Sequence, residues 1–195
     1  MLPLPAATAT LRFDLAQGAA LQALNTWGGQ PLPIEATAWW DGALILRLAG
    51  ARAAVQAATA KLGGDVIPDD LAAAFWTGLR DQSDEFFVGA ERAVAGGAQL
   101  WRLSLPSTAP ELKLHGEQLI EWGGAQRWVV TPLPAAAVRE AAASAGGHAT
   151  LFRALDKSAG VFAPLSAPLA AIHRRLKASF DPHGVFNPGR LYPGL

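Results

Sequence analysis

Four histidines have the widest chemical range of any side chains in this sequence: His115, His148, His173 and His183. None falls in an HxxxH or HExxH spacing, and the chain holds no cysteine to complete a zinc set, so no metal centre is expected. The same lack of cysteine excludes disulfides, thiol catalysis and cysteine-ligated iron–sulfur sites on this chain. His115 sits in an irregular connector and His173 in the run "APLAAIHRR", and both read as surface residues. His183 sits in a turn and reads as capping or solvent-facing. His148 has a different setting. It follows Gly146–Gly147 and opens the strand-like "HATLFRAL". Paired glycines let backbone approach another object, a ligand included. They also cap a helix before a strand, and spacing alone favours that structural role. Arg102 interrupts the apolar stretch "QLWRLSLP". A guanidinium there can clamp a carboxylate through its planar fork, although a solvated sheet face is the simpler reading. Trp27, Trp122 and Trp128 flank glycine turns and read as packing anchors with bonded indole N–H groups, a role that suits Trp27 best.

The elements that position these residues follow from periodicity. "TATLRFDL" alternates apolar and polar residues and predicts a strand near Thr8–Leu15. "GAALQALNTW" has helical spacing and stops at Gly28–Gly29. "PIEATAWW" and "ALILRLAG" around Asp41–Gly42 predict a hairpin. A second helix, "ARAAVQAATAKLGG", and a short strand, "DVI", complete a β-α-β-β-α-β order, which is ferredoxin-like. "PDDLAAAFWTGLRDQ" predicts a helix beginning at Pro68, and "SDEFFVGAERAVAGGA" reads as a connection with a short strand at most. The order then recurs. A strand spans Gln99–Leu105, and the connector "TAPELKLHG" could hold a helical turn. The hairpin "EQLIEW"–"RWVVTP", the helix "PAAAVREAAASAGG" and the strand "HATLFRAL" follow. The expected class is α+β: one antiparallel sheet of two ferredoxin-like halves, helices mainly on one face, residues 1–195 as a single domain. The open face must be covered or used, because several strands are apolar on both sides. "APLAAIHRRLKASF" predicts a last helix before the tail "FDPHGVFNPGRLYPGL".

Composition narrows the function classes. Apolar residues make 51% of the chain and charged residues 16%, which suits a packed core and not disorder. Sixteen Lys+Arg balance sixteen Asp+Glu, leaving no footprint for nucleic acid. No apolar run is long enough to span a bilayer. "MLPLPAATATLRF" lacks the charged and apolar regions of a leader, so the cytoplasm is the default compartment. No GxGxxG, P-loop or GxSxG motif is present, so the chain carries no cofactor fingerprint of its own.

"FDPHGVFNPGRLY" resembles the C-terminal signature of FAD-linked oxidases of the vanillyl-alcohol oxidase superfamily. "LNTWGGQPLPI", "LWRLSLPS", "GEQLIEWGGAQRW", "AGGHATLFRA" and "FAPLSAPL" are similar to the FAD-binding subunit of bacterial glycolate oxidases within it. The resemblance covers about residue 21 to the C-terminus. It implies that this chain is the cap domain, which covers the flavin and shapes the substrate pocket, and that an N-terminal FAD-binding domain lies elsewhere. It implies FAD as cofactor of the full protein, with none bound to this chain alone. The implied substrate is a small 2-hydroxy acid, glycolate. The implied partners are a second flavoprotein subunit and an iron–sulfur subunit, through which the assembly could meet a membrane. His148 in "GGHATLF" looks like the histidine of the superfamily's "GEHG" strand, with Gly147 in place of the acidic residue and Ala149 in place of the glycine. Asn187 and Arg190 match the tail that passes the flavin ring. Arg102 is the candidate carboxylate clamp, although no superfamily motif fixes it. An alternative is a non-catalytic assembly module, with oxidation on the sister flavoprotein. Pro188 predicts extended backbone at Asn187, and Gly189 would permit a close approach.

Overall fold

The computed structural model describes residues 4–192. The expectation about a leader rests partly on residues 1–3, which lie outside the described residues, as do the last three of the tail. The first half runs β1 (Ala7–Asp14), α1 (Gln17–Gly28), β2 (Ile34–Trp40), β3 (Ala43–Gly50), α2 (Arg52–Leu62) and β4 (Asp65–Ile67). Two helices follow, α3 (Asp69–Asp81) and α4 (Glu85–Ala95). The second half runs β5 (Gln99–Ser104), β6 (Glu117–Glu121), β7 (Gln126–Thr131), α5 (Ala135–Ser144) and β8 (His148–Arg153), before α6 (Ala167–Phe180).

All eight strands form one antiparallel sheet in the order β4-β1-β3-β2-β6-β7-β5-β8. Each half contributes the ferredoxin-like sequence of neighbours, fourth-first-third-second, and the second half is laid down in reverse. The two meet where β2 pairs with β6, Ala38 opposite Glu121 and Trp40 opposite Leu119. The α+β class and the doubled order are as the sequence predicts. Asp41 and Gly42 have φ of 45° and 79°, the left-handed pair that a tight hairpin turn requires.

Side chains alternate across the sheet and feed two layers. On one face, Leu11, Leu44, Leu46 and Leu48 meet Leu21 and Leu24 of α1 and Val55 of α2. Further along this face Trp101, Leu103, Val129 and Leu151 meet Val138 and Ala142 of α5. On the opposite face, Leu100, Leu119, Trp128 and Val130 are covered by Leu79 of α3 and Phe86, Phe87 and Ala90 of α4. The helices of the repeated units thus share one face, and the two between the halves cross to the other.

Two local expectations change. Residues 85–95 are helical, not a connection. The Asp84 carboxylate accepts the Phe87 N–H at 3.0 Å, an N-cap that satisfies one orphan donor. Phe86, Phe87 and Ala90 then bury one side of the helix, and that burial outweighs the glycines that follow. The connector between β5 and β6 holds no helical turn. It is pinned by Arg127, which is fully buried. The guanidinium donates to the carbonyls of Gly124, Pro110 and Ala109 at 3.1, 2.6 and 2.5 Å. Burial pulls the Arg127 pKa down from its ordinary value, and Glu111 opposes the shift.

Helix α6 stands apart. None of its residues is buried, and Leu169, Ile172, Leu176 and Phe180 are all exposed along one side of it. Among the described residues no helix is long and apolar enough to cross a membrane.

Candidate functional site

Strand register brings together a row of polar side chains that are scattered in sequence. Glu121 on β6 lies opposite Gln126 on β7, Gln126 opposite Ser104 on β5, and Ser104 opposite His148 on β8. The next rung holds Leu119, Trp128, Arg102 and Thr150 in the same strand order. Both rungs are on the sheet face that α4 covers only in part. There the apolar floor under α4 gives way to a polar margin. Arg102, Ser104, Glu121 and Gln126 are half-buried, and His148 is exposed. His148 and Arg102 are thus diagonal neighbours on adjacent strands, as a shared role requires.

Arg102 has an unusual environment. Its Nε is sealed from solvent and has no hydrogen-bond partner. A buried donor without an acceptor is costly, and a ligand oxygen would relieve that cost. The solvated-face reading therefore fails for this atom. Beside it, Trp128 is buried against Phe87 and Phe152, with ring centroids at 5.1 and 4.9 Å. Its indole N–H donates to Glu121 Oε2 at 2.6 Å, and the Gln126 amide donates to the same oxygen at 3.0 Å.

The glycine pair before His148 has a structural explanation. Gly146 has φ of 81° and ends α5. A Cβ on Gly147 would collide with the carbonyl oxygen of Ser104 on the neighbouring strand. The object that Gly147 lets approach is β5. The tryptophans divide. Trp27 packs on Phe13 at 5.0 Å, and Trp128 is an anchor. Trp122 is not one: it is 71% exposed, with φ of 53° in the turn between β6 and β7. The adjacent Gly123 N–H donates to Thr37 Oγ1 at 2.7 Å, which ties the turn to β2 and leaves the indole outside. Trp122, Trp27, Gln30, Glu35 and Glu121 line a cavity of about 560 Å³ at this end of the sheet.

The tail forms a second, separate site. Asp181 is buried and organises the whole segment. Its carboxylate accepts from Lys177 Nζ at 2.6 Å and from the N–H groups of Val185 and Phe186 at 3.0 and 2.9 Å. Lys177 also donates to the Phe186 carbonyl. The Lys177 bond holds the Asp181 carboxyl below the usual range. Burial opposes this, and the two N–H groups reinforce it. Asn187 adopts φ of 46°, so the extended backbone expected from Pro188 is wrong. Asn tolerates the left-handed region better than most residues. The Arg190 N–H closes on the Asn187 carbonyl at 3.2 Å, with Pro188 and then Gly189 (φ 68°) at the centre. This is the signature of a type II turn. No atom lies within 4 Å of a Cβ added at Gly189, so its task is the turn and not a close approach. Asn187 and Arg190 line a cavity of about 610 Å³ with Phe162, His173, Lys177 and Leu191. His173 is thereby half-buried, its ring edge-on to Tyr192 at 5.9 Å, and is not the free surface residue expected.

The structure thus unites Arg102 with His148, and Asn187 with Arg190, in two distinct places. Glu121 and Gln126 were missed from sequence. The available signal was a polar residue on each side of the "WGGA" turn, at matching hairpin positions.

No family model and no solved structure matches the chain. The chain is 45% identical over all its 195 residues to glycolate oxidase subunit GlcE of Escherichia coli strain K12. It spans 52% of that protein, about half the length of the curated relative it matches. The resemblance read from the tail, hairpin and strand motifs is borne out by this similarity.

Proposed function

We propose that these residues form the cap half of a flavin-dependent 2-hydroxy-acid oxidoreductase, with glycolate as substrate and glyoxylate as product. The observation that carries this reading is Arg102: a guanidinium whose Nε is sealed and unpartnered, on a polar sheet face left open beside His148. A carboxylate is the planar acceptor that such a donor lacks. The similarity to GlcE supports the substrate class.

The residues fit one edge of a flavin site. Arg102 offers a donor with no acceptor, and the sequence has no phosphate-binding loop. The pyrophosphate of FAD would therefore be held by a domain outside these residues. FAD supplies the hydride acceptor when bound. This chain's own part is to orient and to exclude water. Arg102 fixes the substrate carboxylate, and the polar row from Glu121 to His148 supplies a proton acceptor. Asn187 and Arg190 meet the cofactor from the tail turn. The partners are the FAD-binding domain, a second flavoprotein subunit and an iron–sulfur subunit.

A second reading, an assembly module, is favoured by one feature. The apolar side of α6 and the neighbouring Val185, Phe186 and Leu191 are exposed, as a docking surface would be. One experiment separates the two: flavin reduction by glycolate in the complete subunit, with Arg102→Ala and His148→Ala beside it. The catalytic reading expects at least a hundredfold slower reduction for Arg102→Ala. A complete subunit that takes up FAD but is never reduced by glycolate would overturn it.

A further inference from the structure

We infer that Glu121, and not His148, receives the hydroxyl group of the substrate. The inference rests on the proposed function and deepens it. Both donors to the Glu121 carboxylate, the Trp128 indole and the Gln126 amide, converge on Oε2. Oε1 carries no hydrogen bond from any described residue. One oxygen is thus fixed and the other is free, an acceptor pre-oriented by its neighbours. His148 is exposed at the end of its row, and its ring has no hydrogen bond from a described residue. Nothing holds it in one orientation.

The placement relative to Arg102 fits a short acid. Glu121 and Arg102 sit two strands and two residues apart on the same face, through the pairs Glu121–Gln126 and Arg102–Trp128. Ladder spacing puts their Cα atoms about 12 Å apart. Two side chains of this length can bridge that gap through a two-carbon acid with a hydrogen bond at each end. Trp128 lies between them as the floor, bonded to one and opposite the other in register. Glu121 Oε1, an acceptor with no bound donor among the described residues, demands one. It selects acids that carry a hydroxyl at C2 over those that do not.

Glycolate and acetate differ only in that hydroxyl, and their titration into the complete subunit, with its flavin held reduced so that neither turns over, tests the inference. The readouts are the NMR resonances of the Trp128 indole N–H and the Arg102 Nε–H. Glycolate is expected to bind about tenfold or more tighter than acetate. Glu121→Gln should bring the two within about threefold of each other, because the charged acceptor is gone. Glu121→Asp, which keeps the charge, should retain part of the preference. His148→Ala should leave the ratio unchanged. Arg102→Met should abolish binding of both. If both acids bind through Arg102 but Glu121→Gln leaves the ratio intact, the role of Glu121 is wrong and the site stands. If the ratio collapses in His148→Ala instead, the hydroxyl belongs to His148. If neither acid binds the wild-type subunit, this face is not the substrate site and the functional reading falls with it.

Discussion

Arg12 and Arg102 occupy the same address in the two halves of the sheet. Each lies on the first strand of its unit, one residue before the partner of the first inward-facing residue of the third strand, Leu44 and Arg127 respectively. Their fates differ. Arg12 is solvated and pairs with Asp14, two residues on, at 3.0 Å. At Asp14's position the second half has Ser104, and Arg102 is left with a sealed, unpartnered Nε. The same fold can therefore neutralise an arginine or hold it ready, and one residue two positions along decides which. The inward face carries a matching contrast. Leu44 packs beneath α1, whereas Arg127 holds an irregular connector by the Ala109 and Pro110 carbonyls and the β6–β7 turn by the Gly124 carbonyl. The second half has given up a helix at the place where the first keeps one.

The largest effect should come from erasing that second contrast. Arg127→Leu would install the first half's residue and leave the Ala109, Pro110 and Gly124 carbonyls without their donor. A loss of about 3 kcal/mol or more is expected in denaturant unfolding. A near-neutral result would mean that the connector does not need its arginine. The next test converts one half into the other. Ser104→Asp should pair Arg102 as Asp14 pairs Arg12 and weaken glycolate binding about tenfold, while stability changes by about 0.5 kcal/mol at most. Unchanged affinity would show that the two arginines differ for some other reason. The smallest effect is local to the tail. The folded pKa of Asp181 is depressed, so its contribution is full above the unfolded value and is lost as pH falls through the folded one. Protection of the Val185 and Phe186 amides against exchange, relative to their intrinsic rates at the same pH, should fall in acid and, at neutral pH, in Asp181→Asn. Insensitive exchange at those two amides would remove Asp181 as the organiser.

Most of the fold was legible because its signals are local. Asp41–Gly42 announces a hairpin, and glycines close α1, α2 and α5 within a few residues of the sequence expectation. Helix α4 was not read, because "SDEFF" looks like a turn until Asp84 is recognised as a cap and Phe86, Phe87 and Ala90 as one buried side. The polar row was beyond reach for a different reason. Glu121, Gln126, Ser104 and His148 become neighbours only through the register of four strands, which no window of sequence contains. Arg127 is the converse case. At the start of "RWVVT" an arginine suggests solvent, and only the path of a distant connector makes it a buried clasp. At Asn187, the rule for residues before proline gave way to the turn chemistry of Asn-Pro-Gly.

The seam between the halves carries a consequence for how the chain folds. β2 and β6 meet over three residue pairs, whereas β1 and β3 meet over eight. Each half closes its own four strands through short-range hairpins and crossovers, which form quickly. The three-pair seam joins segments far apart in the chain and must wait for both. Hydrogen exchange should accordingly divide the single sheet into two cooperative units that part at Ala38–Trp40. The margin from Glu121 to His148 lies wholly on the four strands of the second half, so it forms with that unit, before the seam closes.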